Sequence, residues 1–137
     1  MTLNGTQPRR SYHRLWVWLG YWIGLFVITH TPVVGVGRLS FDYADKIIHF
    51  TLYFLLAWLG GRYLFFAGQT PSTPTLIAYA GLYAGYAAFD EWLQQLVGRT
   101  MSLGDWLADA AGIILATFWL IGRRRSTPIP EPPRNVG

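Results

Sequence analysis

The chain of 137 residues contains no cysteine and little charge. The absence of cysteine excludes disulfide bonds, thiolate metal sites and a cysteine nucleophile. Charged residues make up 13% of the chain, whereas a typical soluble domain carries about 25%. So few charges could not cover the surface of a small soluble protein. The composition therefore indicates a membrane protein, and the length allows one domain.

Apolar residues make up 52% of the chain and fall into four long segments. We predict that these segments, 15–31, 47–66, 76–96 and 103–121, are transmembrane helices. A helix of about 20 residues crosses a hydrocarbon core of about 30 Å. Proline and glycine after Thr31, and the prolines at 71 and 74, separate the first three segments. The sequence thus predicts an all-α fold, an integral membrane bundle of four transmembrane helices.

The two ends of the chain differ from this membrane domain, which covers residues 15–122. Residues 1–14 are predicted to be a basic cytoplasmic N-terminus. Residues 123–137 carry four prolines and a run of arginines and are predicted to be a disordered cytoplasmic tail. A signal peptide is the alternative for the first segment, but its three tryptophans and the lack of a small-residue cleavage site argue against it.

Basic residues indicate how the segments are oriented. With four spans both termini share a side, and that side would hold Arg9, Arg10, Arg14, Arg62, Arg123, Arg124, Arg125 and Arg134. The other side would hold only Arg38, Lys46 and Arg99. Because basic residues favour the cytoplasmic side, we predict that both termini are cytoplasmic. The net charge of +4 then suggests contact with anionic lipid headgroups at the cytoplasmic face rather than with nucleic acid.

Carboxylates are concentrated at the outer ends of the apolar segments. Six of the seven acidic residues are Asp42, Asp45, Asp90, Glu91, Asp105 and Asp109. Charge near hydrocarbon costs about 2.5–3.5 kcal/mol per residue at a helix centre, so such residues usually serve a function. Residues three or four apart share a helix face, which gives three polar stripes: Asp45, His49 and Tyr53; Glu91 and Gln95; Asp105 and Asp109. We predict that these stripes meet in one extracytoplasmic pocket, with Arg99 as counter-charge.

Small residues four positions apart favour close helix packing. They occur as Gly20 and Gly24, as Gly81 and Gly85, and as Ala108, Gly112 and Ala116. Such spacing is common in multi-span proteins. It predicts a compact bundle and indicates no chemistry.

Three polar motifs follow one another between residues 40 and 120. They are Asp45-Lys46-x-x-His49-Phe50-x-x-Tyr53, Asp90-Glu91-x-x-Gln94-Gln95, and Arg99-x-x-Ser102-x-x-Asp105-x-x-x-Asp109-x-x-Gly112. This order resembles the VanZ-like family of small bacterial multi-span membrane proteins. The resemblance implies a site formed by Asp45, Lys46, His49, Tyr53, Asp90, Glu91, Gln95, Arg99, Ser102, Asp105 and Gly112. Asp109 departs from the family pattern, where an Asn is expected, and we add it to the ligand-binding set.

The resemblance also implies a location and a role. It places the chain in the bacterial cytoplasmic (inner) membrane with a function in the cell envelope. The family's namesake is linked to low-level resistance to the glycopeptide teicoplanin. A lipid-linked or glycopeptide ligand is therefore the partner that the resemblance suggests.

Three kinds of function fit these observations. We favour a non-enzymatic envelope protein whose polar pocket binds a ligand. The second is an intramembrane enzyme acting on a lipid headgroup or wall precursor, with His49 as general base and Asp90 or Glu91 as acid. The third is a proton-coupled carrier, for which a chain of 15.5 kDa would have to form an oligomer. The sequence leaves turnover and homo-oligomers open.

Each candidate residue also has a simpler interpretation. His49 could be an ordinary interfacial histidine, and Ser102 and Asp105 both suit the first turn of a helix as caps. One histidine with carboxylates is a poor ligand set for zinc, and His13 and His30 lie elsewhere in the sequence. We therefore predict no metal and no cofactor.

Overall fold

The computed structural model describes residues 8–31, 42–66 and 71–125. These residues form four α-helices, α1 (Pro8–His30), α2 (Asp42–Phe66), α3 (Thr73–Gln94) and α4 (Leu103–Arg125), with a short 3₁₀ helix at Gln95–Val97. No strand occurs among them, so the prediction of an all-α fold is confirmed for the described part of the chain. Predictions that fall on Arg38 and on residues 126–137 lie outside it.

Both terminal helices are longer than the apolar segments that predicted them. Helix α1 begins at Pro8 rather than near residue 15, and α4 continues to Arg125 rather than ending at residue 121. Proline suits the first turn of a helix, and arginine is a good helix former that interacts favourably with a helix C-terminus. These helices therefore extend beyond the apolar segments 15–31 and 103–121, because helix formation continues past the apolar residues.

Both ends of α3 carry local signals for starting and stopping a helix. The Ser72 side chain accepts a hydrogen bond from the Thr75 backbone N–H at 3.2 Å, which caps the helix. After the 3₁₀ helix, Gly98 adopts φ 81°, a left-handed conformation that favours glycine. This reversal sends the chain back along the bundle as α4.

The core lies between α2 and α4, and α1 and α3 flank it. Its buried apolar residues are Leu25, Tyr53, Leu56, Ala57, Tyr83, Ala87, Ile113 and Ala116. Gly112 and Ala116 are buried where predicted. A Cβ atom at Gly20, Gly24, Gly81 or Gly85, in contrast, would meet nothing within 4 Å. Of the three predicted small-residue patterns, only the one on α4 therefore packs closely, whereas Gly60 and Gly61 on α2 lie against Tyr83 and Leu120 without having been predicted.

One helix in the described residues is long and apolar enough to cross a membrane. This segment covers Leu103–Arg123 in α4. Length and composition are the basis of that assignment. The described chain is therefore helical with one candidate membrane span.

Candidate functional site

Buried polar side chains gather at one end of the bundle. In the described residues they are Thr29, His49, Asp90, Glu91, Gln94, Asp105 and Asp109. Successive helices alternate in direction, so the C-terminal ends of α1 and α3 meet the N-terminal ends of α2 and α4. Burying polar groups is costly unless they find partners. Such a concentration of carboxylates makes this end of the bundle the candidate site.

The centre of the site is an imidazole placed between two carboxylates. The Nδ1 atom of His49 lies 3.1 Å from Oδ1 of Asp109 and 3.8 Å from Oε1 of Glu91. These three residues are 3%, 1% and 1% exposed. In the tautomer with a proton on Nδ1, His49 donates a hydrogen bond to Asp109. The sequence motifs on α2, α3 and α4 therefore converge at His49.

Gly112 allows this convergence. A Cβ atom at this position would overlap the Phe50 carbonyl oxygen and lie 2.9 Å from the Phe54 nitrogen. Only hydrogen fits there, so α4 lies directly against the backbone of α2. Since Asp109 precedes Gly112 by one turn and His49 precedes Phe50, this contact sets the separation of the buried pair.

Glu91 is held in position by the start of α4. Its Oε2 atom accepts a hydrogen bond from the backbone N–H of Ser102 at 3.1 Å. The Ser102 hydroxyl accepts one from the Asp105 N–H at 3.3 Å, as expected of a residue that caps a helix. Ser102, predicted as a ligand-binding residue, thus caps α4 and orients Glu91.

Asp90 has a separate set of partners. Its Oδ2 accepts from Gln94 at 3.2 Å, and its Oδ1 accepts from Tyr86 at 3.4 Å and from Thr29 at 3.5 Å. His30 places Nδ1 3.7 Å from the same Oδ1. Asp90 therefore belongs to a network that joins α1 to α3, beside the His49 centre.

The outer part of the site contains Asp45, Lys46 and Asp105. Lys46 Nζ lies 3.8 Å from Asp105 Oδ1, and the Lys46 side chain is 41% exposed. Asp45 is half-buried. Ligand-type atoms of Asp45, His49 and Asp105 all lie within 4.8 Å of one another. This outer group links His49 to the surface of the bundle.

Two predicted site residues lie away from the centre. Arg99 donates from Nη1 to the Thr29 carbonyl at 3.2 Å, and among the described residues it has no carboxylate within 4.0 Å. It satisfies a carbonyl in the last turn of α1, so the expected counter-charge role is not seen. Gln95 is exposed, and its neighbour Gln94 faces the acids instead.

Tyr53 lies beneath the polar cluster, as its stripe predicted. Its side chain is fully buried, and its hydroxyl oxygen has no hydrogen-bond partner in the described structure. Asp90 and Asp109 are its charged neighbours. The hydroxyl thus lies beside the Asp90 carboxylate at the base of the cluster.

Sequence reasoning missed three contributors, Thr29, His30 and Tyr86, whereas Gln94 belongs to the second motif and shares a helix face with Asp90. His30 was placed elsewhere because it is remote from the motifs in sequence. Alternating helix direction could have identified it, because the end of α1 must meet the end of α3. Tyr86 and Gln94 each lie four positions from Asp90, on the same helix face.

Comparison with known proteins gives no assignment. No model of a known family, no curated protein and no solved structure matches this chain. The resemblance to the VanZ-like family stays a prediction. Function must therefore be argued from the site itself.

Proposed function

We propose that this chain is a VanZ-like integral membrane protein of the bacterial cytoplasmic membrane whose polar cluster binds a cell-envelope ligand. All four helices would span the bilayer, with both termini in the cytoplasm. The observation that carries the proposal is the concentration of buried carboxylates around His49 at one end of an otherwise apolar bundle. Ionisable residues within membrane helices are usually functional.

Exposed apolar side chains support the membrane location. Ile23, Leu82, Leu103 and Phe118 are 65%, 62%, 67% and 68% exposed, and they belong to α1, α3 and α4. Large contiguous apolar surfaces are unusual on soluble proteins and mark contact with partners or lipid. Hydrocarbon tails would cover these faces without further protein.

Basic and aromatic residues at the opposite end support the orientation. The Arg62 guanidinium lies 4.9 Å from the Trp58 ring centre, and that of Arg123 lies 5.6 Å from the Trp119 ring. Tryptophan and arginine are enriched at membrane interfaces, and arginine favours the cytoplasmic one. The carboxylate cluster would then face outward, towards the cell envelope.

The charges of the cluster indicate the chemistry of its ligand. Five carboxylates are present at this end, from Asp45, Asp90, Glu91, Asp105 and Asp109, and Lys46 already pairs with one of them. Arg99 is engaged by a backbone carbonyl. A surplus of hydrogen-bond acceptors favours ligands with amino or hydroxyl groups. We therefore propose the amino-sugar part of a lipid-linked envelope precursor or of a glycopeptide.

Binding to the full chain in lipid nanodiscs tests this proposal. The probes are a polyprenyl diphosphate that carries an amino-sugar headgroup, the same lipid without the sugar, and teicoplanin. We expect the amino-sugar lipid to bind more tightly than the bare lipid. Asp45→Asn and Glu91→Gln should weaken that preference, whereas Arg62→Gln at the opposite end should not. Equal binding of the two lipids would contradict the proposed ligand chemistry.

A second function, intramembrane acid-base catalysis, is favoured by one observation. Asp109 lies 3.1 Å from His49 Nδ1, a distance at which a carboxylate can orient an imidazole as general base. Glu91, 3.8 Å from the same nitrogen, would be the acid. Incubation of the amino-sugar lipid with the protein, followed by mass spectrometry, distinguishes the functions. A catalyst should form product and lose that activity in His49→Ala, whereas a binding protein returns its ligand unchanged.

A further inference from the structure

His49, Glu91 and Asp109 have the arrangement of a metal-binding site. Each offers one ligand-type atom, and these atoms all lie within 4.8 Å of one another. The residues come from α2, α3 and α4, and each is at most 3% exposed. One histidine with carboxylates was expected to be a poor ligand set for zinc, but the fold brings these three side chains together in a buried group.

Two oxygen atoms in this group are buried without partners. Oε1 of Glu91 and Oδ2 of Asp109 accept no hydrogen bond from the described residues. Oε1 is also the Glu91 atom that faces His49, at 3.8 Å. Buried carboxylate oxygens normally have a donor or a cation beside them. Both carboxylates thus have an oxygen atom that could accept a cation.

The separations match those of ligands around one small ion. Zinc binds histidine nitrogen and carboxylate oxygen at about 2.0–2.2 Å. Tetrahedral ligands at that radius lie about 3.4 Å apart. The two carboxylate oxygens lie 3.1 Å and 3.8 Å from His49 Nδ1, on either side of this value. A small movement of the side chains would place one ion in contact with all three.

Charge balance also favours a divalent ion. Two carboxylates and a neutral imidazole carry a charge of −2, which a divalent cation cancels. A neutral complex is the least costly occupant of a buried site. Calcium requires six to eight oxygen ligands and magnesium usually retains several waters, so a mixed nitrogen and oxygen set of three better suits a transition metal.

We propose that His49, Glu91 and Asp109 form a binding site for a divalent transition-metal ion of the zinc type. The Ser102 N–H, which bonds Glu91 Oε2 at 3.1 Å, orients the free oxygen of that carboxylate towards the ion, as partners behind metal ligands do. Three protein ligands leave a fourth tetrahedral position for an incoming group. Asp45 and Asp105, close to His49, provide a path from the surface.

Metal and proton compete for the same nitrogen. The hydrogen bond from His49 to Asp109 needs a proton on Nδ1, and coordination through Nδ1 requires the neutral ring to carry its proton on Nε2 instead. Because an imidazolium ring or a protonated carboxyl group is a poor ligand, metal binding should weaken as the pH falls. On metal binding the site would lose the hydrogen bond between His49 and Asp109, and the backbone would keep its conformation.

Zinc binding to the untagged full chain in detergent tests the proposal without any envelope ligand, so its outcome is independent of the proposed function. After treatment with a chelator, calorimetry and elemental analysis should find one zinc per chain. Loss of a partner behind a ligand costs about 10–100-fold in affinity, so we expect His49→Ala, Glu91→Gln and Asp109→Asn each to weaken binding by about 100-fold or more. The exposed His13→Ala is the control and should bind zinc normally.

Two further results decide the position of the ion. Asp105→Asn, in the outer group, should retain one equivalent of zinc. Loss of binding in Asp105→Asn together with retention in Asp109→Asn would overturn the assignment to the buried group. X-ray absorption of the zinc-loaded wild type needs no variant to fold, and it should show one imidazole with oxygen ligands. Absence of stoichiometric binding, or binding that survives His49→Ala, also overturns the proposal.

Discussion

Replacing Gly112 by alanine should separate α2 from α4 and break the pair of His49 and Asp109. The added Cβ atom would overlap the Phe50 carbonyl oxygen and lie 2.9 Å from the Phe54 nitrogen. Both obstacles are backbone atoms, which cannot turn aside as a side chain can. The overlap disappears only if α2 and α4 move apart by about 1 Å, because protein interiors hold little free space.

The expected loss of stability follows from two opposing effects. Overpacking of a core costs about 1–3 kcal/mol, and the rigid obstacle places this substitution at the upper limit. Alanine is better than glycine inside a helix by about 1 kcal/mol, which leaves a net loss of about 2 kcal/mol. The hydrogen bond between His49 and Asp109, 3.1 Å long, would also exceed bonding distance after a shift of about 1 Å.

Thermal unfolding in detergent, followed by circular dichroism, measures this loss. A chain of this size loses about 4 °C of melting temperature per kcal/mol, so Gly112→Ala should melt about 8 °C below the wild type. Gly81→Ala is the matched control, because a Cβ atom there meets nothing within 4 Å, and it should melt at or above the wild-type temperature. Equal melting temperatures for the two variants would refute the close contact between α2 and α4.

Four more predictions address the cap, the turn, the topology and the role. Ser102→Ala removes the hydroxyl that accepts from Asp105 at 3.3 Å and should lower the free energy of unfolding by about 0.5–2 kcal/mol, whereas Ser102→Thr should retain most of it. Gly98→Ala, at φ 81°, should lower the free energy of unfolding by about 1–2 kcal/mol. Denaturation in detergent measures both this change and that of the Ser102 variants. In intact cells a membrane-impermeant maleimide should label Thr100→Cys but not Ser72→Cys, and the reverse pattern would contradict the orientation. Expression of the wild type should raise the inhibitory concentration of teicoplanin above that seen with His49→Ala, and equal values would contradict a role in resistance.

The helices and much of the polar cluster could be predicted from the sequence. Apolar segments bounded by proline and glycine gave four helices, and spacing of three or four gave the faces that carry His49, Asp105 and Asp109. These rules are local, so they act through residues close in sequence. The same rules predicted that Glu91 faces the polar cluster, although its partner Ser102 lies eleven positions away.

The errors occur where local geometry changes or where a partner is distant. Glu91 and Gln95 share a face only if the α-helix continues, but the chain tightens into a 3₁₀ helix at Gln95, where each residue turns further about the axis. Gln95 consequently moves out of the cluster. Arg99 follows the left-handed turn at Gly98 and reaches the Thr29 carbonyl, 70 positions away, a contact that no local pattern contains.

The contact between α2 and α4 has a consequence for synthesis of the chain. His49 and Asp109 are 60 positions apart, and the helix that carries Asp109 is made last. A nascent chain that ends before Ser102 has both His49 and Glu91 but lacks the Asp109 carboxylate and the Ser102 N–H group that hold them. Its His49 and Glu91 side chains then lack these partners, which is the costly arrangement for polar groups away from water. Completion of the final helix therefore closes the bundle, and an interrupted chain carries a defect that proteases can detect.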